Sequence, residues 1–289
     1  MKDNIIKRAY YHFAIHSRYA RRLEKRYRIY KKLEKKYQHI LEAGVEPKEG
    51  ESSSSNYVWV CWFQGLEQAP PLVKACISSL QKNMPDREII ILTEETIPKY
   101  VEFPDYIVEK RKQGMIGAAH YSDLLRLELL CRYGGMWIDS TVLCTSNNLP
   151  SYITEAPLFV YKQLDLSRQD DTAILSSNWF ISAQAGEPIL EMTRKLLYEY
   201  WKDYNYAIEY FVFHLFFGMA ARKYKKEWDE IPFFNNHSPH ILQFELDKDF
   251  NETRWEQICS MSVFHKLNRY HSFLDKPDSM YMHILQTFR

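Results

Sequence analysis

The stretch YGGMWIDST, Tyr133 to Thr141, decides how this chain is to be read. Two glycines are followed by Met-Trp-Ile, an apolar run suited to a buried strand. The run ends on Asp139, Ser140 and Thr141, which put oxygen atoms at the strand end. An ionised carboxylate in such a place is unfavourable unless a metal ion, a basic side chain or a ligand hydroxyl compensates it. A plain turn cap is the structural alternative, and the flanking chain has to choose between the two.

Working towards the N-terminus, Ile116 to Tyr133 has helical patterning, with Leu124, Leu125, Leu127, Leu129 and Leu130 on the buried side. Gly134-Gly135 is placed to end that helix. Further upstream, REIIILTEE (87–95) predicts a strand over Ile89 to Leu92. LVKACISSLQKN (72–83) predicts a helix opened by Pro71, and YVWVCWF (57–63) predicts the first strand. Strand, helix, strand, helix, strand is an α/β pattern with a mostly parallel sheet flanked by helices. Ligands bind such sheets beyond the carboxyl ends of the strands. Gln64-Gly65, Thr93-Glu94 and Asp139-Ser140-Thr141 are therefore expected on one rim. Neither a Walker sequence nor G-x-G-x-x-G follows the first strand, so a glycine-rich phosphate cradle is not expected.

Residues 1–43 form a basic, amphipathic helical region. Residues 1–40 hold 13 Lys/Arg against 3 Asp/Glu, although the whole chain carries a net charge of only +1. Tyr19, Leu23, Tyr27, Tyr30, Leu33, Tyr37 and Ile40 recur at spacings of three and four. Such a stripe can pack on the body or in a short coiled coil. It can also lie on anionic lipid. Nucleic acid is the least compatible partner, because the rest of the chain is acidic. Residues 44–56, GVEPKEGESSSSN, read as a polar linker, and residues 57–289 as the catalytic domain. Apolar residues make up 46% of the 289, enough for a core and too many for disorder. The N-terminus lacks the apolar segment of a signal peptide. Five cysteines without a C-x-x-C pair fit a reducing, cytoplasmic setting better than a disulfide framework or a zinc site.

The segment HYSDLLRLELLCRYGGMWIDSTV (120–142) resembles the capsular polysaccharide synthesis glycosyltransferases. It is also similar to the family 32 transferases and, more distantly, to the clostridial glucosylating toxins. The resemblance rests on Ser122-Asp123-x-x-Arg126, on Tyr133-Gly134-Gly135, and on Asp139-x-Thr141 where the wider pattern has D-x-D. WVCWFQG near residue 60, SNWFISA near 178 and FHK near 265 extend it. It implies a GT-A-like fold, a UDP-sugar donor, a divalent metal (Mn²⁺ or Mg²⁺) and transfer with retention of anomeric configuration. A lipid-linked oligosaccharide acceptor in bacterial capsular or surface polysaccharide synthesis is expected with it. The resemblance covers roughly residues 57–289 and leaves out the basic region, for which peripheral attachment of residues 1–40 to the inner face of the plasma membrane is the lipid alternative given above.

On this reading Asp139, Arg126 and Asp123 are the catalytic group. Donor contacts are expected from these three and from Trp59, Trp62, Gln64, Gly65, Tyr121, Ser140, His265 and Lys266. Asn178 and Trp179 are acceptor candidates, and Asp139 and Thr141 metal ligands, with a weakly held ion or a metal-independent site as the alternatives because a hydroxyl is a weaker ligand than a carboxylate. Asp123 and Arg126 lie three apart and share a helix face, although the same spacing also describes a surface ion pair. Trp179 reads equally as a sugar platform or a core aromatic. His214, inside an apolar run, reads as a satisfied core histidine, and HSPH (237–240) lacks a third zinc ligand. The oligomeric state is open. The alternative function is a non-catalytic glycan-binding or scaffold subunit of a polysaccharide assembly.

Overall fold

A computed structural model describes residues 18–45, 55–164, 172–268 and 276–289. The first seventeen residues of the basic region and residues 46–54 of the linker lie outside the described residues. The elements run α1 (Arg18–Lys36), α2 (Gln38–Ala43), β1 (Tyr57–Cys61), α3 (Pro71–Asn83), β2 (Glu88–Leu92), α4 (Asp105–Lys112), α5 (Ala118–Tyr133), β3 (Gly135–Ile138) and β4 (Val142–Cys144). Then follow α6 (Ser151–Thr154), β5 (Leu158–Lys162), β6 (Ser176–Ala183), α7 (Pro188–Asp203), α8 (Val212–Lys223), α9 (Lys225–Glu230), α10 (Glu252–Met261), β7 (Phe264–Lys266) and α11 (Met280–Thr287).

The central sheet has the order β2-β1-β3-β6-β5. β1 is parallel to β2 and β3, and β6 is antiparallel to both β3 and β5. The mostly parallel, helix-flanked sheet expected of a GT-A-like fold is thus present, with β6 reversed within it. Both faces of the sheet are covered, which is why its strands read as unbroken apolar runs. Alternation along β1 sends Val58 and Val60 to one layer and Trp59 to the other. Along β3, Met136 and Ile138 go to the first layer and Trp137 to the second.

The strand β3 starts at a point of close approach. The amide of Gly134 bonds the Leu130 carbonyl at 2.9 Å and closes α5, with φ of +67°. Gly135 follows at φ +91°, and a Cβ there would lie 2.4 Å from the Tyr57 carbonyl oxygen. Only glycine lets β3 begin its pairing with β1 so close to the end of α5.

The apolar stripe of the basic region packs on the body. Tyr30, Leu33, Tyr37 and Ile40 are buried in the same core layer as α5, α7 and α8. Tyr37 packs edge-on against Phe216, and its hydroxyl donates to Asp203 at 2.8 Å. From Tyr30 onward the stripe is therefore a packing surface, so Tyr30 and Tyr37 are not placed to meet lipid, whereas Leu23 is exposed and Tyr27 half-buried. Arg21, Arg22, Lys25, Arg28, Lys32 and Lys35 remain exposed.

Candidate active site

A cleft of about 460 Å³ opens where the carboxyl ends of β1 and β3 meet the start of α5. The helix α5 contributes one face: Ala118, Ala119, Ser122, Asp123 and Arg126 line the cleft. Tyr121, rotated by about 100° from its neighbour in an α-helix, turns away from it. Tyr121 instead packs on Phe63 and Phe103, with the Arg111 guanidinium over its ring.

Asp123 and Arg126 are hydrogen-bonded to each other, and both side chains are under 10% exposed. This is a buried pair, not the surface pair that the spacing also allowed. Asn178 on β6 donates to the same Asp123 oxygen at 2.8 Å. The other terminal nitrogen of Arg126 reaches Asp139 Oδ1 at 3.4 Å, and the guanidinium lies over the Trp137 ring.

Asp139 sits just past β3, where its amide bonds the Trp179 carbonyl at 2.9 Å. Its side chain caps no turn. Oδ1 accepts from Trp137 Nε1 at 3.0 Å and Oδ2 from Lys266 Nζ at 2.8 Å. The same ammonium donates to Thr141 Oγ1 at 2.8 Å. Lys266 arrives through a second, two-stranded sheet, in which β4 pairs antiparallel with β7 and Val142 lies opposite Lys266. The Leu267 amide, bonded to the Thr141 carbonyl at 2.9 Å, secures that register.

The two carboxylates are driven apart in acidity. Burial raises Asp123 from 3.8 to about 7; Arg126 pulls against this and the Asp139 charge adds to it. Burial also acts to raise Asp139, but Lys266 and Arg126 outweigh it and hold the carboxyl below its usual range. Near neutrality the site thus sets a firmly ionised Asp139 beside an Asp123 whose acidity burial weakens, the kind of separation expected of groups with different chemical tasks.

Of the other candidates, Trp62, Gln64, Ser140, Thr141, Asn178 and Trp179 line the cleft. Trp59 does not: it is fully buried under the sheet, and Nε1 donates to the Gly134 carbonyl at 3.0 Å. Its place along the strand explains the correction: Cys61 and Trp137 on the same face reach the cleft, whereas Trp59 sits two residues before the end of β1, packed among Tyr57, Tyr100 and Tyr133. His265 is also fully buried and lies beside Thr145, since β7 presents Lys266 to the cleft and therefore turns its neighbour the other way. Gly65 lies outside the cleft lining, in the loop after β1 at φ +83°. Thr93 and Glu94 are at the same sheet end but serve local structure, Thr93 bonding Thr96 and Glu94 pairing with Arg111 at 2.7 Å. Trp179 is only 5% exposed, stacks on Tyr161 at 4.5 Å and donates to Asn236 at 2.9 Å. It meets the cleft without an open face for a sugar ring.

Sequence reasoning missed one wall. Tyr210, Phe211 and His214, at the start of α8, line the cleft opposite α5. His214 is not the satisfied core histidine expected, because its buried Nδ1 has no hydrogen-bond partner. Burial, with Arg126 and Arg26 nearby, lowers its pKa to about 3, so the ring is neutral. The apolar composition of residues 210–220 hid this wall. The basic region supports it from behind: Arg26 of α1 lies over the Phe211 ring and reaches Glu209 at 3.6 Å.

A divalent metal finds a poor donor set here. Asp139 is the one carboxylate on the D-x-T turn, and Lys266 already bridges it to Thr141. Among the described residues no three His, Cys, Asp or Glu side chains gather to hold a metal ion. Among the described residues, too, no helix is long and apolar enough to cross a membrane.

Two curated proteins and a solved structure are similar to this chain. The chain is 24% identical over 182 residues to the O-glycosyltransferase braB of Annulohypoxylon truncatum, covering 59% of this chain and 43% of that protein. It is 30% identical over 109 residues to the O-glycosyltransferase PaGT of Phomopsis amygdali, covering 34% and 26%. The chain thus spans less than half the length of these curated relatives. Among solved structures, the PaToxG glycosyltransferase is similar with a TM-score of 0.40 and 17% identity, over 83% of this chain and 95% of that one. The model of the capsular polysaccharide synthesis protein family matches residues 8–284, which takes in the basic region as well as the body. With nearly its whole length matched, the chain belongs to the capsular polysaccharide synthesis protein family.

Proposed function

We propose that this protein is a retaining hexosyltransferase that moves a sugar from a UDP-sugar to a hydroxyl of an oligosaccharide acceptor in surface-polysaccharide synthesis. The observation that carries the reading is the convergence of Asp123, Arg126, Asp139 and Lys266 on one cleft at the strand ends. Lys266 and Arg126 would meet the diphosphate, where charge develops as UDP departs. Asp123 and Asn178 would hold sugar hydroxyls, and Trp62 and Gln64 would flank the nucleotide. The anomeric C–O bond breaks with its electron pair going to the β-phosphate oxygen. The acceptor oxygen bonds the anomeric carbon from the same face and passes its proton to the departing phosphate. Arg126 and Asp123 fix the sugar for this attack by orientation.

The exposed basic residues of α1, among them Arg21, Arg22, Lys25 and Lys32, support a second element of the proposal. They suit docking on an anionic leaflet at the cytoplasmic face, where a lipid-linked acceptor would be presented.

The test is a panel of UDP-sugars, followed by UDP release with and without a lipid-linked oligosaccharide, and by NMR of the anomeric proton in the product. One donor is expected to be turned over with its configuration retained. Binding of donors without turnover in the presence of the natural acceptor would favour the non-catalytic glycan-binding subunit.

A further inference from the structure

We propose that Lys266 takes the place of the divalent cation, so that the nucleoside diphosphate is bound and released without a metal. The inference rests on the glycosyltransferase reading and concerns how the same site neutralises the leaving group. Its basis is the position of one ammonium group. Lys266 Nζ lies 2.8 Å from Asp139 Oδ2 and 2.8 Å from Thr141 Oγ1. These are the two oxygens that a cation bridging the D-x-T turn would use. The other oxygen of Asp139 accepts from Trp137 Nε1 at 3.0 Å and from Arg126 at 3.4 Å. Both Asp139 oxygens are thus already supplied with donors.

The formal charges also balance. Two carboxylates of a D-x-D turn with a dication sum to zero. One carboxylate and a threonine hydroxyl with a lysine also sum to zero. The exchange of the second aspartate for Thr141 and the arrival of Lys266 therefore compensate each other. A dication added beside Lys266 and Arg126 would face two like charges and find Asp139 shared by both and Asp123 taken up by Arg126 and Asn178, where hard cations require several oxygen ligands.

Lys266 is held in a way that suits a fixed cation. Its backbone lies in the β4–β7 pairing, opposite Val142, and the Leu267 amide next to it is bonded to Thr141. The side chain keeps 22% exposure and lines the cleft. An ammonium carries three donors; Asp139 and Thr141 take two, and the third is available to a phosphate oxygen. When the anomeric C–O bond breaks and its electron pair moves to the β-phosphate oxygen, Lys266 donates a hydrogen bond to that diphosphate. The acceptor oxygen forms the new bond to the anomeric carbon, and its proton leaves with UDP.

The experiment is calorimetric titration of the full chain with UDP in excess EDTA and again in Mn²⁺, beside electron paramagnetic resonance of Mn²⁺ alone. UDP affinity is expected to agree within about twofold between the two conditions, and Mn²⁺ to remain free without nucleotide. Lys266→Met, which keeps the aliphatic stem, should weaken UDP in EDTA by tenfold or more, and Lys266→Arg by less, since it keeps the charge. A tenfold or greater gain in wild-type affinity on adding Mn²⁺ overturns the proposal and leaves the transferase reading intact. So does a folded Lys266→Met variant that binds UDP like wild type in EDTA. If Lys266→Met does not fold, the wild-type comparison and Lys266→Arg decide alone. Failure of UDP and of UDP-sugars to bind under every condition overturns the donor reading together with this one.

Discussion

Replacing Asp139 by asparagine removes one charge and almost no volume. In the wild-type chain its two oxygens receive Lys266 at 2.8 Å, Trp137 at 3.0 Å and Arg126 at 3.4 Å. Asparagine can accept through one oxygen only, and its amide nitrogen would face a donor. Two charge-assisted contacts are therefore lost, each worth about 1.5–3 kcal/mol when buried. The Asp139 side chain is 27% exposed, so the lower end of that range applies. Two such contacts give about 3 kcal/mol of lost positioning of Lys266 and Arg126. At about 1.36 kcal/mol per factor of ten, the turnover rate should fall at least a hundredfold. Stability should suffer less, because Asp123 compensates. The Asp139 charge is one of the causes that raise Asp123, and without it Asp123 ionises more fully at neutral pH. A net loss of about 1–2 kcal/mol corresponds to a fall in Tm of roughly 2–8 °C for a domain of this size. UDP release at saturating donor and acceptor, beside a circular dichroism melt, measures both. Turnover within about threefold of wild type would refute the role given to Asp139. Intact turnover loss with a far larger drop in Tm would refute the compensation by Asp123.

Two further outcomes follow from the fold. Gly135→Ala places a Cβ 2.4 Å from the Tyr57 carbonyl at a φ of +91°, and should cost about 3 kcal/mol or more by opening the β1–β3 pairing; a urea midpoint equal to wild type would contradict this. Burial raises Glu187, the N-cap of α7, from 4.5 to about 7. The folded chain then keeps a proton that the unfolded chain has released, so this contribution is complete below pH 4.5 and is lost as pH rises through 7, by about 3 kcal/mol. Glu187→Gln should flatten the fall in unfolding free energy between pH 5 and 8, and an unchanged slope would count against it.

Much of the cleft was legible before any coordinates. The helix periodicity put Asp123 and Arg126 on one face, and the glycines of YGG turned the chain so that β3 delivers Asp139 to the strand ends. The first three strands and their parallel pairing also followed from local patterns. The long-range partners did not. Asn178 bonds Asp123 across 55 residues, and Lys266 bonds Asp139 across 127. The wall formed by Phe211 and His214 read as ordinary core, because a side chain's composition does not say which surface it faces. Strand alternation turns His265 inward and Trp59 lies too far from the end of β1 to reach the cleft, and a motif quoted as a block carries no sense of which residues meet the site.

The sequence by itself determined the α/β pattern, the family and the local carboxylate–arginine spacing, since these depend on contacts within a turn or two of helix or along one strand. Only the tertiary structure decided which cation meets Asp139, that the basic region packs on the core, and that a histidine nitrogen is left unbonded in the cleft. Those facts depend on which distant segments share a layer, and chain connectivity leaves that open until the sheets are assembled.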